Sequence, residues 1–160
     1  MSGEQIGMFD LGTGELRARA REPVSSCQCC GGPTKLYRRK LNSGMARTLC
    51  WLAIPLVGWA TAAEMPHKVR RYATELGKLQ LWGLVSRREN PAGESYQEKH
   101  QWHITDLGRG FVMGLIDVPS HIFLESPGNK VLGFETTAVS VQGALGKHFD
   151  YTELMAGGGL

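Results

Sequence analysis

Apolar residues recur at helical spacing in the segment that begins near Asn42. They stand at positions i, i+4 and i+7 and therefore share one side of an α-helix. Asn42 or Ser43 can cap the first turn, and Pro55 cannot continue the helix. The pattern predicts a helix that runs to about Ile54. Its apolar positions are Met45, Leu49 and Leu52.

Two further short helices are predicted within residues 61–83. Thr61 or Thr74 can cap one of them, and Gly83 suits a helix C-terminus, where a left-handed residue is common. In the second helix the apolar positions share one side, and the charged positions share the opposite side. The apolar side carries Leu76, Leu79 and Trp82, and the charged side carries Arg71, Glu75 and Lys78.

The chain beyond Gly83 predicts two strands around a polar loop. The segments LVSRR and KHQWHIT flank the sequence ENPAGESYQ, whose proline and glycine favour a turn. Trp102 and Ile104 alternate with polar residues and so lie on one face of the second strand. Thr105 can then cap a short amphipathic helix, TDLGRGFVMG.

The two ends of the chain are less regular. Residues 1–26 show no sustained periodicity, so we expect a mobile arm with at most a short strand.

The segments VPSHIFLE and KVLGFE flank turn residues 126–129 and predict a β-hairpin. Ser140 can cap a final helix that extends to Met155. Its apolar positions, at i, i+4 and i+8, are Val141, Leu145 and Phe149.

The order of helix, helix, helix, strand, loop, strand and helix resembles winged helix-turn-helix domains. The phrases LGKLQLWGLVSRR and W-x-I-T-x-x-G-R-x-F-V carry this resemblance, which covers about residues 43–114. It implies a winged helix-turn-helix-like core, and together with the predicted C-terminal β-hairpin and helix the expected class is α+β. We expect residues 1–34 to form a flexible arm and a cysteine turn, residues 35–116 the winged-helix-like domain, and residues 117–160 a β-hairpin plus a helix packed on the core.

Charge is distributed unevenly along a chain of ordinary globular composition. The 160 residues are 42% apolar and 21% charged, which excludes wholesale disorder and suits one compact core. The net charge is +3, but residues 35–88 hold eleven basic residues against two acids, a net of +9. Residues 89–160 hold four basic residues against nine acids, a net of −5. A basic middle section suits contact with a polyanion, and a solvated basic surface is the alternative.

The basic residues coincide with the winged-helix pattern. In such domains the third helix enters the major groove and the wing reaches the phosphate backbone, so we predict contact with duplex DNA. The predicted wing loop is acidic, which favours the alternative that the domain binds a protein. The predicted nucleic-acid-binding residues are Lys35, Arg38, Arg39, Lys40, Arg70, Arg71, Thr74, Lys78, Arg87 and Arg88.

Cys27 and Cys30 have the C-x-x-C spacing, with Cys29 between them and two glycines behind. Such a turn can direct two thiolates toward one zinc ion, but structural zinc takes four ligands. Cys29 could also bind the ion, but adjacent Cys29 and Cys30 rarely both reach one ion, so Cys27 and Cys30 are the predicted ligands. Cys50 falls on the apolar side of its helix and is expected to be a small core residue. Free thiols without a metal are the alternative.

No catalytic motif is found in the sequence. It lacks G-x-S-x-G, the Walker phosphate loop and H-E-x-x-H, and its acids are scattered, so we expect a protein that is not an enzyme. The longest uncharged run is interrupted by Pro55 and Gly58, and the N-terminus has no basic stretch followed by an apolar one. We therefore expect no contact with a membrane and a location in the cytoplasm.

As a whole the chain resembles a group of uncharacterised phage and prophage proteins. The shared segments include C-x-C-C-G-G, LYRRKLNSGMA, KLQLWGL, VLGF and ALGKHFDYTELM, over roughly residues 27–155. The resemblance implies a phage or prophage origin, the host-cell cytoplasm and no catalytic residues. We expect a DNA-binding, regulatory protein, with homodimer formation left open. The alternative is a phage-encoded inhibitor of a host nucleic-acid-handling protein, such as a CRISPR or other defence complex.

Overall fold

A computed structural model describes residues 12–54, 58–88 and 100–156. These residues form a mixed α+β fold with antiparallel sheets, which confirms the predicted class. They divide into two compact units. The sheet unit contains the described residues up to Lys40 together with Pro119–Thr137, and the helical unit contains Leu41–Val118 and the described residues from Ala138 onward. The sequence suggested boundaries near residues 34 and 116 instead.

The sheet unit is built on four antiparallel strands in the order β1-β2-β6-β7. The predicted hairpin is confirmed as β6 and β7, and its turn holds Gly128 and Asn129 at positive φ. The basic segment after the cysteine turn is itself the long strand β2, which pairs with β6 along its length. The strands are Ser25–Ser26 (β1), Pro33–Lys40 (β2), His121–Ser126 (β6) and Lys130–Phe134 (β7).

A helix lies on one face of this sheet, where the sequence predicted an arm with at most a short strand. Thr13–Arg19 forms α1, and its buried Leu16 packs with Leu36 and Phe123. Glycine at position 133 permits this approach, because a Cβ atom there would lie 2.7 Å from Leu16 Cδ1. Leu16 is the one buried residue of α1, so the helix leaves no periodic pattern in the sequence.

Helix α2, Ser43–Leu52, forms the centre of the helical unit and confirms the strongest prediction. The side chain of Asn42 caps it by accepting a hydrogen bond from the backbone N–H of Met45 at 2.9 Å. Nearly the whole helix is buried. Its Arg47 is among the buried residues and lies over the ring of Phe149, 4.6 Å from the centroid.

Within residues 61–82 the structure has two short helices separated and flanked by 3-10 turns, where the sequence predicted two helices. Helices α3 (His67–Arg70) and α4 (Leu76–Leu79) alternate with 3-10 turns at Ala62–Glu64, Ala73–Glu75 and Gln80–Trp82. Of the two predicted caps, Thr61 precedes the first of these turns and forms a capping box with Glu64, whereas Thr74 lies inside the second turn and caps no helix. Gly83 ends the last turn at a φ of 73°, as expected. The apolar positions Leu76, Leu79 and Trp82 are all buried, as predicted.

The two predicted strands and the helix after them are confirmed. Val85–Arg87 (β3) pairs with Trp102–Ile104 (β4), and the predicted wing loop lies outside the described residues. Thr105 caps Asp106–Val112 (α5) by accepting from the N–H of Gly108 at 3.1 Å. Val118–Pro119 (β5) and Ala138–Val139 (β8) form a further two-stranded sheet.

The C-terminal segment contains two helices where one was predicted. Ser140 caps Val141–Leu145 (α6) as expected, but Gly146 at a φ of 69° interrupts the helix. Asp150 then caps Tyr151–Met155 (α7), and Phe149 between them is extended. Among the described residues, no helix has the length and apolar character needed to cross a bilayer.

Candidate metal site and basic surfaces

Three cysteines lie in the turn that joins β1 to β2. The turn is closed by two backbone hydrogen bonds, from Cys27 N–H to Gly32 O at 2.7 Å and from Gly31 N–H to Cys27 O at 2.9 Å. Gly31 has a φ of 70°, a left-handed backbone conformation that residues with a side chain rarely adopt. The Sγ atoms of Cys27, Cys29 and Cys30 all lie within 4.8 Å of one another. These three residues, the cysteine cluster, could bind one metal ion.

The turn favours a thiolate at Cys27. Its sulfur lies 2.9 Å from the sulfur of Cys29, where either thiol can be the donor, and it accepts hydrogen bonds from the backbone N–H groups of Cys29 and Cys30. These hydrogen bonds lower the pKa of Cys27 to about 7. The same thiol contact and the charge on Cys27 raise the pKa of Cys29. Since the thiolate is the form that binds metal, Cys27 is the ligand most ready at neutral pH.

The structure brings together more of the cluster than the spacing predicts. Cys27 and Cys30 lie close together as expected, and Cys29, which was not expected to reach the same ion together with Cys30, joins them. Adjacent side chains point to opposite faces of a strand but can converge in a tight turn. The spacing of the cysteines in the sequence does not distinguish a strand from a turn at Cys29 and Cys30, whereas the fold does. Cys50 lies in α2, as expected, where burial raises its pKa to about 12.

An open cavity of about 520 Å³ adjoins the cysteine cluster. Cys27 and Cys30 line it together with Thr34 of β2 and Glu125 of β6. The cavity gives water, a further ligand or an incoming ion access to the cluster from the side of the sheet.

Two arginines of the sheet unit are joined by one buried carboxylate. The side chain of Glu135 has no exposed surface, and both its oxygens accept hydrogen bonds from Arg17 of α1. Arg38 of β2 donates to Oε2 from Nε at 3.1 Å and from a terminal nitrogen at 3.0 Å. These contacts with Arg17 and Arg38 lower the pKa of Glu135 to about 2. Arg38 was predicted to contact nucleic acid, but much of its charge is balanced inside the protein.

The other predicted basic residues of β2 have different surroundings. Lys35 places its Nζ 5.5 Å from the centre of the Tyr37 ring, within cation–π range. Arg39 is half-buried and Lys40 is exposed. Neither of these two makes an ion pair with the part of the chain that is described.

The remaining predicted residues lie in the helical unit. Arg70, Arg71 and Thr74 are exposed; Arg70 donates to the carbonyl of Ala63 at 2.5 Å. Arg71 lies over the Tyr72 ring at 5.3 Å.

Lys78 forms an ion pair with Glu75 at 2.8 Å, so its charge is offset. At the end of β3, Arg87 lies 5.9 Å from the Trp102 ring, and Arg88 after the strand donates to the side-chain oxygen of Gln101 at 2.8 Å. The ten predicted residues are thus divided between the two units.

Comparisons of the chain with protein-family models, curated proteins and solved structures give no match.

Proposed function

We propose that the protein is a phage or prophage regulatory protein that binds duplex DNA through its helical unit, in a winged helix-turn-helix arrangement. The proposal rests on the segment His67–Gln80, in which buried apolar side chains alternate with exposed cationic and polar side chains. Val69, Leu76 and Leu79 are buried. Lys68, Arg70, Arg71 and Thr74 of the same segment are exposed, and we call these four residues the basic helix surface.

The basic helix surface has the charge that phosphate binding requires. Three of its four residues are cationic, and none of the three forms an ion pair with a described carboxylate. Each cation that meets a phosphate releases counterions, which makes binding dependent on salt. Thr74 adds a hydroxyl that can donate to phosphate or to a base edge. Lys78 contributes less, because Glu75 already balances it.

The test is a titration of duplex DNA at several salt concentrations with a double variant, Lys68→Ala with Arg71→Ala. Both side chains are exposed, so the fold should persist. Arg70 is left in place because it holds the Ala63 carbonyl. We expect weaker binding and a salt slope smaller by about two units, one for each phosphate that the variant no longer neutralises.

The matched control is Lys130→Ala with Lys147→Ala. It removes the same charge from two exposed lysines outside the basic helix surface, and its binding should stay near that of the wild type. Equal weakening in both double variants would indicate general attraction rather than a defined surface. Absence of duplex binding by the wild type at low salt would overturn the proposal.

We further propose that the ion at the cysteine cluster is zinc. Thiolates are ligands that zinc favours, and three of them would leave one position of a tetrahedral site for another donor. A bound ion would join the two sides of the turn between β1 and β2 and so stabilise the start of the long strand. The support is the convergence of the three Sγ atoms and the lowered pKa of Cys27.

One observation favours the second function, an inhibitor that binds a host nucleic-acid-handling protein. Met113 and Leu115, two residues apart in the turn after α5, are 64% and 73% exposed, and a partner protein could cover both. A second copy of the chain is another partner such residues could take. Capture of one host protein in stoichiometric amount, with no duplex binding, would favour inhibition, and a doubled native mass would indicate the homodimer.

A further inference from the structure

One pair of sulfur atoms in the cysteine cluster is close enough to form a covalent bond after a small movement. The Sγ atoms of Cys27 and Cys29 lie 2.9 Å apart, and both residues are free cysteines. A disulfide holds its sulfurs about 2.05 Å apart, so the two atoms need to approach by less than about 1 Å. In a bent backbone, Cα atoms two positions apart also fall within the separation of about 4.4–6.8 Å that a disulfide spans.

The backbone of the turn holds these two side chains together. Cys27 N–H donates to the Gly32 carbonyl at 2.7 Å, and Gly31 N–H donates to the Cys27 carbonyl at 2.9 Å. Because these hydrogen bonds already close the turn, the two sulfurs can meet by rotation of the cysteine side chains. Cys50 belongs to the helical unit and is not one of the clustered cysteines.

Cys30 is the less suitable partner for a disulfide, although it belongs to the cluster. It follows Cys29 directly, and Cα atoms across a trans peptide are about 3.8 Å apart, which is shorter than a disulfide normally spans. Its sulfur also lies against Gly32, where an added Cβ atom would stand 3.4 Å from it. Cys30 is therefore expected to stay a free thiol when Cys27 and Cys29 are joined.

Small molecules can reach the pair from solvent. Cys29 is exposed and Cys27 is half-buried. Cys27 also lines the open cavity of about 520 Å³ beside the cluster. Exchange between thiols and disulfides requires that the incoming disulfide reach the sulfur it reacts with. Both cysteines of the pair meet this condition.

We infer that Cys27 and Cys29 form a reversible oxidation site, which a small-molecule disulfide such as oxidised glutathione converts to a disulfide between them. The thiolate of one cysteine attacks the small disulfide, whose S–S bond breaks and releases one thiol molecule. The thiolate of the second cysteine then attacks the resulting mixed disulfide and releases the second thiol molecule. The two cysteines lose two electrons and two protons in total, and the small disulfide is reduced to two thiols.

Oxidation at this site removes two of the three thiolates that a metal ion needs, because the thiolate is the form of cysteine that binds metal. This consequence rests on the zinc binding proposed above, whereas the disulfide itself is inferred for the metal-free chain. The site lies in the sheet unit, so it does not depend on duplex binding by the helical unit.

The experiment incubates the metal-free full chain in glutathione buffers with an increasing oxidised fraction. Free thiols are then alkylated in the acid-quenched, unfolded protein, and the intact mass is measured. The reduced chain should take one alkyl group on each of its four cysteines, and the oxidised chain should take them on Cys30 and Cys50 alone. Trypsin releases the peptide of residues 22–35, whose fragmentation should separate Cys30 from an intact Cys27–Cys29 ring. A thiol reductant should restore alkylation of all four cysteines.

The variant Cys29→Ser tests the pairing, and Cys30→Ser is its matched control. Both side chains are exposed, so both proteins should fold. At a glutathione ratio that oxidises half of the wild type, Cys29→Ser should lower the ratio of disulfide to dithiol by about tenfold or more. Cys30→Ser keeps the pair and should form the disulfide as the wild type does.

Three results would overturn the inference. One is a wild-type chain that keeps four alkylated cysteines in a large excess of oxidised glutathione. Another is a disulfide that includes Cys30. The third is glutathione that stays attached to Cys27 or Cys29, because the second thiol then fails to reach the mixed disulfide. A chain that forms the Cys27–Cys29 disulfide but binds no zinc when reduced would support the oxidation site and remove the zinc proposal alone.

Discussion

At the scale of the residue, Glu135 is expected to make the sheet unit sensitive to acid. Its pKa is held near 2 by the hydrogen bonds from Arg17 and then Arg38, against 4.5 for a free carboxyl. A carboxyl with a lowered pKa stabilises the fold above the unfolded value. The stability that ionised Glu135 gives to the fold is fully present above about pH 4.5 and is lost as the pH falls toward 2.

The substitution Glu135→Gln removes the charge and keeps the shape. We expect it to lower the free energy of unfolding at neutral pH by about 2 kcal/mol, the value of hydrogen bonds to a charged group. Stability should then change less between pH 5 and pH 2 than it does in the wild type, as measured by urea unfolding across that range. The control Glu125→Gln breaks a longer, partly exposed ion pair with Arg19 and should cost less than about 1 kcal/mol. Equal effects of the two substitutions would contradict the special role of Glu135.

Cys29 is the residue that distinguishes a three-thiolate site from the pair predicted by spacing. If it is a ligand, Cys29→Ser should weaken zinc binding, because a hydroxyl is a poorer ligand than a thiolate. Native mass spectrometry should find about one zinc per wild-type chain, and titration with a chelator should strip the variant at a lower chelator concentration. Cys50→Ser is the matched control, since Cys50 is buried in α2 and should not affect the metal. A Cys29→Ser protein that holds zinc as tightly as the wild type would limit the site to Cys27 and Cys30.

At the scale of the element, the helices and strands that the sequence predicted correctly are those that depend on residues close together in the chain. Helix α2 and its Asn42 cap follow from apolar spacing and one capping residue. Helix α1 could not be predicted, because its place is set by Leu36 and Phe123, which are distant in the sequence. The C-terminal helix was predicted as one piece because apolar spacing continues through Gly146, whereas the backbone there turns to positive φ.

The same distinction applies to the candidate sites. The C-x-x-C spacing locates the candidate metal site, since its cysteines are neighbours in the chain, but the convergence of Cys29 depends on the turn at Gly31. The pairing of Arg38 with Glu135 joins residues 97 positions apart, so no local sequence pattern could reveal that this arginine is already bound to a carboxylate.

At the scale of the whole molecule, the division into two units has consequences for unfolding. Each unit has its own buried set: Leu16, Leu36 and Phe123 in the sheet unit, and the residues around α2 in the helical unit. Trp82 belongs to the helical unit and is 5% exposed. The sheet unit should therefore depend little on this side chain.

We expect Trp82→Ala to destabilise the helical unit by about 3–5 kcal/mol, because it removes a large buried side chain and leaves a cavity. Hydrogen exchange should show reduced protection in α2 and α5, with protection in β2 and β6 retained, since local unfolding follows cooperative units. Leu16→Ala is the converse variant and should expose β2 and β6 while α2 remains protected. An equal decrease of protection in both units of either variant would mean that the chain unfolds as one cooperative body, and the sites on the two units would then lose their structure together.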